Sequence, residues 1–285
     1  MPRFGAHLSI AGGMDMAARR AQELRCECLQ VFVKSPSQWR FAPLKDDEVA
    51  RFRAAAGEAG LRPVVGHASY LVNLASPDRA LYERSRRSVL EEWDRCERLG
   101  LAGLVLHPGA HMGSGEAAGL ARIVRALDWL HRQRPGRAAR ILIETTAGAG
   151  TVLGGRLEHF RHILDAAACA DRLGLAIDTC HLWAAGYDVR SAAGLAETLA
   201  ALDAAAGLAR VAVVHANDAR GERGSHLDRH EHIGRGRIGR EGFRRIVNHP
   251  ALRSLPFILE TPKEEDRGRR MDPVNLRALR QLAAT

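Results

Sequence analysis

The chain lacks most of what would mark a secreted, membrane-bound or thiol-based protein. Its 285 residues include five cysteines, Cys26, Cys28, Cys96, Cys169 and Cys180. They form no C-x-x-C pair and no even ladder, so neither a disulfide framework nor a thiolate zinc site has its residues. Small buried thiols in a reducing compartment are expected instead. No 18 apolar residues run together, which argues against a membrane span. Met1 to His7 shows no basic flank leading into an apolar stretch, so no signal peptide is expected. Only three lysines occur, Lys34, Lys45 and Lys263, and none ends an inferred strand, which leaves Schiff-base chemistry without a candidate. No Pro/Ser-rich linker or low-complexity block divides the sequence. Residues 1–285 therefore read as a single cytoplasmic domain with no membrane partner.

What is present begins with charge. The formal net charge is +9 and the pI about 10.0, a balance that favours polyanionic partners because Lys and Arg displace counterions from phosphate. Much of this excess is Arg spread through an Ala- and Arg-rich background, so charge alone does not choose nucleic acid. At 46% hydrophobic residues the chain can build a large core, burying roughly 75% of its unfolded surface.

One unit recurs along the chain: a short apolar run, a polar residue at its end, a loop, then an amphipathic helical stretch. The runs are Arg3 to His7, Leu29 to Val33, Pro63 to His67, Leu104 to His107, Ile141 to Glu144, Leu175 to Asp178, Val211 to His215 and Phe257 to Glu260. The period of about 36 residues lies slightly above the roughly 31 of a typical eight-fold barrel. Helical spacing is clear at Leu81, Val89, Trp93, Cys96 and Leu99, with Ser76 as the expected N-cap, Pro77 at the first helical position and Gly100 as the stop. It returns at Leu120, Ile123, Val124, Leu127 and Leu130. Short apolar strands alternating with helices predict a parallel sheet covered by helices. Eight units closing on themselves give an α/β (β/α)₈ TIM barrel, with an open doubly wound sheet as the competing arrangement.

In such a barrel the active site lies at the C-terminal ends of the strands. Those ends carry His67, His107, Glu144, Asp178, His215 and Glu260. One polar residue closing a strand means little, but six in succession of metal-ligand type is another matter. A barrel mouth would gather them, and unpaired carboxylates there would repel unless cations held them. Asp178-Thr179-Cys180-His181 adds a second imidazole, and Asp228-Arg229-His230 adds two ligand types in a Gly-, Arg- and His-rich loop. The nine candidates are five His, two Asp and two Glu, a nitrogen and hard-oxygen set that suits zinc, with manganese or iron as substitutes. Nine exceed the needs of one ion and fit two or three sharing a bridging carboxylate.

Other residues have plainer readings. His131, His159, His162 and His249 fall in helical or surface stretches and read as structural. His111, His226 and His232 neighbour the candidates, and His7 would line the pocket floor without being a ligand. Gly148-Ala149-Gly150 with Gly154 is one residue too long for a dinucleotide fingerprint.

At these residues the sequence resembles endonuclease IV, the abasic-site endonuclease family. The segments that carry the likeness include Gly5-Ala6-His7-Leu8-Ser9, Ser69-Tyr70-Leu71-Val72-Asn73-Leu74, His107-Pro108-Gly109 and Glu144-Thr145-Thr146-Ala147-Gly148. Asp178-Thr179-Cys180-His181, His215-Ala216-Asn217-Asp218, Asp228-Arg229-His230, Gly234-Arg235-Gly236-Arg237-Ile238-Gly239 and Leu259-Glu260-Thr261 extend it over nearly the whole chain. The charge-rich tail from Pro262 matches weakly and holds an expected last helix near Asn275 to Leu282.

The resemblance implies three zinc ions per chain. Glu144 would bridge two of them; His67 and His107 would complete one, and Asp178, His215 and Glu260 the other. His181, Asp228 and His230 would hold the third. It also implies hydrolytic incision 5′ to an abasic site, leaving 3′-OH and 5′-deoxyribose phosphate, with trimming of blocked 3′ ends, Glu144 as the catalytic residue, and action as a monomer on double-stranded DNA. Gln38, Tyr70 and Leu71 would enter the DNA from loops after the second and third strands. Ser37 stands where the family often has Arg, with Arg40 as a partial substitute. Two alternatives stay open: a single-metal sugar isomerase or epimerase using Glu144, Asp178, His215 and Glu260, and a non-catalytic abasic-DNA-binding protein.

Overall fold

The computed structural model describes residues 1–263, 266 and 270–283. Eight parallel strands close into a barrel: β1 (Arg3–His7), β2 (Cys28–Phe32), β3 (Val64–His67), β4 (Gly103–Leu106), β5 (Arg140–Glu144), β6 (Leu173–Asp178), β7 (Val211–His215) and β10 (Pro256–Leu259). Strands β1 and β10 pair through Ala6 and Leu259, which closes the ring and excludes the open sheet. Between β7 and β10 a small antiparallel hairpin, β8 (Asp218–Ala219) with β9 (His230–Glu231), stands apart from the barrel.

Helices α1 (Met14–Glu23), α2 (Asp46–Glu58), α3 (Arg79–Leu99), α4 (Glu116–Gln133), α5 (Leu157–Ala166), α7 (Ala192–Ala206), α8 (Gly239–Asn248) and α9 (Asp272–Ala283) wrap the outside, while the short, buried α6 (Thr179–Ala184) continues directly from the end of β6. The expected last helix is α9; part of the charged tail, 264–265 and 267–269, lies outside the described residues. No helix among the described residues is long and apolar enough to cross a membrane. All five cysteines are buried and unpaired with one another, as their spacing implied.

Two apolar layers follow from strand alternation, since successive side chains point to opposite faces. Outward positions such as Ile141 and Ile143 join the helices in one large core. Inward positions form a separate small cluster, Cys28, Val65, Val105, Leu142, Ala176, Val213 and Ile258. Gly5 completes this interior because a Cβ there would lie 1.9 Å from the Cys28 carbonyl oxygen.

Three strands start and end one residue earlier than the apolar runs suggested, so Val33, His107 and Glu260 lie just beyond β2, β4 and β10. The cap of α3 also differs. Asp78, not Ser76, accepts the amide hydrogen of Leu81 at 3.0 Å. The Ser76 hydroxyl instead accepts the amide of Asp78 at 3.1 Å, forming the turn that leads into the helix. A carboxylate one step from the helical amides outcompetes a hydroxyl three steps back. Gly100 does end the helix, with φ of 73°.

Candidate metal centre at the barrel mouth

The inward face of each strand places its next side chain two residues further on, at the mouth. Val65 leads to His67, Val105 to His107, Leu142 to Glu144, Ala176 to Asp178, Val213 to His215 and Ile258 to Glu260. This period of two is why six strand ends converge.

Eight of the nine candidates form three overlapping groups: His67, His107 and Glu144; Glu144, Asp178, His215 and Glu260; and Asp178, His181 and His230. Within each group the ligand atoms lie within 4.8 Å of one another. The ninth, Asp228, sits beside the third group, with Oδ1 3.2 Å from His181 Nε2 and 3.5 Å from His230 Nε2. Glu144 divides its carboxylate. Its Oε2 faces His67 Nε2 at 3.2 Å and His107 Nε2 at 3.1 Å, while Oε1 faces His215 Nδ1 at 2.8 Å.

Four of the five candidate imidazoles are aimed by their other nitrogen. The Nδ1–H of His67 donates to the Ala68 carbonyl, that of His181 to Thr145 and that of His230 to Glu260, at 2.8, 2.8 and 3.0 Å. His215 sets Nε2 against Gln30 Oε1 at 2.8 Å. Fixing one ring nitrogen on an oxygen acceptor leaves the other directed at the carboxylates.

The charges show how concentrated the site is. Burial pushes Glu144 and Glu260 upward, but the surrounding imidazoles, His215 first, outweigh it and hold both carboxyls well below their usual range. Burial likewise opposes a charged His215, yet Glu260 and Glu144 raise it to about 9. Asp228, pushed up by desolvation, is brought down to about 2 by His181 and His230. These carboxylates and imidazoles converge where a divalent cation could balance the concentrated charge. His230 Nε2 is buried without a hydrogen-bond partner. That orphaned nitrogen, among carboxylate and imidazole donors without a thiolate, fits a zinc-type ion.

Several supporting residues escaped the sequence reading. Gln30 is fully buried and its Nε2–H donates to Glu260 Oε1 at 2.5 Å. Asn217 donates to Asp178 Oδ2 at 2.6 Å and accepts the Glu260 amide at 2.8 Å. Gln30 was detectable in principle: it lies two residues past Cys28, as every candidate follows an inward apolar residue. His7 does line the floor, with Nδ1 3.0 Å from Glu260 Oε1. The three neighbouring histidines are engaged elsewhere, His111 by the Gly115 amide, His226 by the Ala147 carbonyl and His232 by Asn275.

Of the residues expected to meet DNA, Tyr70 stands beside a candidate ligand, and Gln38 and Arg40 lie in a separate groove. Tyr70 is 71% exposed, its ring edge-on to Phe32 at 5.2 Å and 6.3 Å from His67. Leu71 beside it is half-buried. Gln38 and Arg40 are exposed and line a groove of about 980 Å³ with Trp39, Phe41, Arg84 and Arg87, away from the metal groups.

Comparison with known proteins places this arrangement. Residues 18–282 match the family model described as a xylose isomerase-like TIM barrel. A probable endonuclease 4 of Chloroflexus aurantiacus is 46% identical over 282 residues, 99% of this chain and 98% of that protein. One of Geotalea daltonii is 42% identical over 278 residues, covering 98% and 97%. The crystal structure of endonuclease IV from Thermus thermophilus superimposes with a TM-score of 0.88 at 38% identity, covering 99% of both chains. With near-complete coverage at these identities, and the strand-end residues gathered as described, the chain belongs to the endonuclease IV family of xylose isomerase-like TIM barrels.

Proposed function

We propose that the protein is a DNA-repair endonuclease that hydrolyses the phosphodiester bond 5′ to abasic sites, leaving 3′-OH and 5′-deoxyribose phosphate, and that also trims blocked 3′ ends. The observation that carries this reading is the overlap of three metal-capable groups through Glu144 and Asp178 in a chain of this family. Three zinc ions fit those groups, with manganese or iron as substitutes. His67, His107 and Glu144 would hold one; Glu144, Asp178, His215 and Glu260 the second; His181, Asp228 and His230 the third. When bound, such ions supply a nucleophilic water at neutral pH and neutralise charge on phosphate and leaving oxygens.

The chain's own residues do the rest. Glu144 spans two groups with its two oxygens, fixing their separation. The backbone carbonyls of Ala68, Thr145 and Glu260 hold three imidazoles in orientation before substrate arrives, so little reorganisation is left for the reaction. Tyr70 and Leu71, with Gln38 and Arg40, face the duplex. An abasic nucleotide has no base to unstack and costs least to extrude, which supplies selectivity. Basic residues around the mouth bind phosphates without reading sequence. A one-metal sugar isomerase would use Glu144, Asp178, His215 and Glu260 and leave five converging ligands without a task.

The test is incision of a duplex carrying one tetrahydrofuran abasic analogue, by protein purified without added metal. The analogue lacks the aldehyde a lyase needs, so a nick with an extendable 3′-OH is the expected product. No nick after zinc is restored to folded protein overturns the assignment, and tight binding without incision would indicate a non-catalytic abasic-DNA binder.

A further inference from the structure

An ion pair outside the metal groups is buried beneath the two loops assigned to DNA. Lys34 follows β2 and Glu92 lies on α3; their side chains are 1% and 0% exposed, with Nζ 3.4 Å from Oε1. The Lys34 ammonium donates to the Gln38 carbonyl at 2.9 Å and to Ser88 Oγ at 3.0 Å, and lies 4.9 Å from the Phe41 ring centroid. The loop from 34 to 41 therefore folds around its own first side chain. Glu92 reaches the other loop. Its Oε2 accepts the Ser69 amide at 2.8 Å and its Oε1 accepts the Ser88 hydroxyl at 2.8 Å. Ser69 then joins the loops directly, donating from Oγ to the Pro36 carbonyl at 2.6 Å and accepting the Leu71 amide at 3.3 Å.

Two features separate this network from simple fold support. A buried ion pair gains little stability over apolar residues of similar volume, since desolvation offsets attraction. Its bonds to backbone also end on Gln38 and Ser69, in the loops, not on the barrel strands. Directional bonds fix register where apolar packing would let two loops slide. Ser69 stands between the candidate ligand His67 and the exposed Tyr70, so the register set by Glu92 carries to the rim of the metal groups.

We propose that the Lys34–Glu92 pair is a positioning device for substrate DNA: it locks the Gln38 loop to the Tyr70–Leu71 loop so that both meet the duplex as one preformed surface. Lys34, Glu92, Ser69 and Ser88 are positioning residues and touch no reacting atom. The proposal rests on the abasic-DNA reading above.

The test removes both charges together, with Lys34→Met and Glu92→Leu in one chain, and follows steady-state incision of the tetrahydrofuran duplex. The variant should keep its Tm and zinc content, with KM raised about tenfold or more and kcat changed by less than about threefold. Tyr70→Ala should raise KM in the native background and add little in this one, because the two changes disable the same surface. A KM within about twofold of native, or an equal effect of Tyr70→Ala in both backgrounds, overturns the positioning role. Should the double variant fail to fold, Ser69→Ala removes only the hydroxyl link between the loops and must show the same KM-weighted loss; unchanged KM overturns the proposal. A native chain that does not nick overturns the function and this proposal together, whereas nicking with unaltered KM overturns the positioning role alone.

Discussion

Gln30 lies on β2 and Glu260 just past the end of β10, strands that flank β1 on opposite sides, yet the Gln30 amide donates to the Glu260 carboxylate at 2.5 Å. The same side chain turns its oxygen to His215 at 2.8 Å, so one neutral residue orients two candidate ligands. Glu260 Oε2 in turn lies 3.2 Å from His215 Nδ1. Replacing such a partner typically costs 10–100-fold in metal affinity or activity. Gln30→Ala should therefore lower zinc retention and incision by about that factor, read by metal analysis after dialysis and by nicking assay. Full retention of both would remove Gln30 from the site.

Glu144→Gln keeps the shape of the side chain and removes the charge shared by two groups. Incision should fall by at least roughly 10²–10³-fold, while the fold, followed by circular dichroism, is largely retained. Near-normal turnover in this variant would sink the assignment of Glu144.

Metal removal should be visible in stability as well as activity. An ion that binds the folded chain alone contributes about 2.7 kcal/mol at a hundred times its Kd. Stripping with a strong zinc chelator should thus lower Tm by several degrees and abolish incision, and zinc should restore both. An unchanged Tm in a chain shown to have lost its metal would mean the groups are not the binding sites.

Asp218 anchors the turn that follows the hairpin strand carrying His230, one member of the third group. Its buried carboxylate accepts the amides of Ala219, Gly234, Gly236 and Ile238 at 2.9 to 3.0 Å, and Ala219 pairs with His230 across the hairpin. A Cβ on Gly236 would lie 2.5 Å from both the Ala219 carbonyl and Asp218 Oδ1. Asp218→Ala strands these amides, so a loss of about 2–4 kcal/mol is expected, measured by denaturant unfolding, with weakened binding of one metal. A loss below about 1 kcal/mol would show that water replaces the carboxylate.

Burial raises the thiols of Cys26 and Cys169 from the ordinary 9.0 to about 12. The folded chain then keeps protons that the unfolded chain releases above pH 9, so stability falls as pH rises from there towards 12. Tm should drop across that window by less in a Cys26→Ala, Cys169→Ala variant. Neither thiol should react with a disulfide reagent near pH 7 until the chain unfolds. Rapid labelling of the native protein would contradict their burial.

The eight strands were legible because buried parallel strands leave continuous apolar runs, and the polar residue at seven of the eight ends marked the mouth. What the runs could not settle was register. Apolar content does not distinguish the pairing of β2 from a frame one residue later, so Val33 looked like a strand end and Gln30 was passed over inside the run. The α3 cap went to Asp78 because both Ser76 and Asp78 carry cap chemistry, and only backbone geometry chooses between them.

Residue types and their spacing alone determined that this chain repeats strand and helix and carries nine metal-capable side chains, and its segments marked the endonuclease IV family; closure into a barrel rests on the β1–β10 pairing. Tertiary structure decided which atoms meet. It split the Glu144 carboxylate between two groups, pointed four imidazoles through their second nitrogens, recruited Gln30 and Asn217, and set Lys34 against Glu92. Those contacts join residues far apart in the chain, and strand closure with side-chain orientation fixes them, whereas local pattern is written in nearest neighbours.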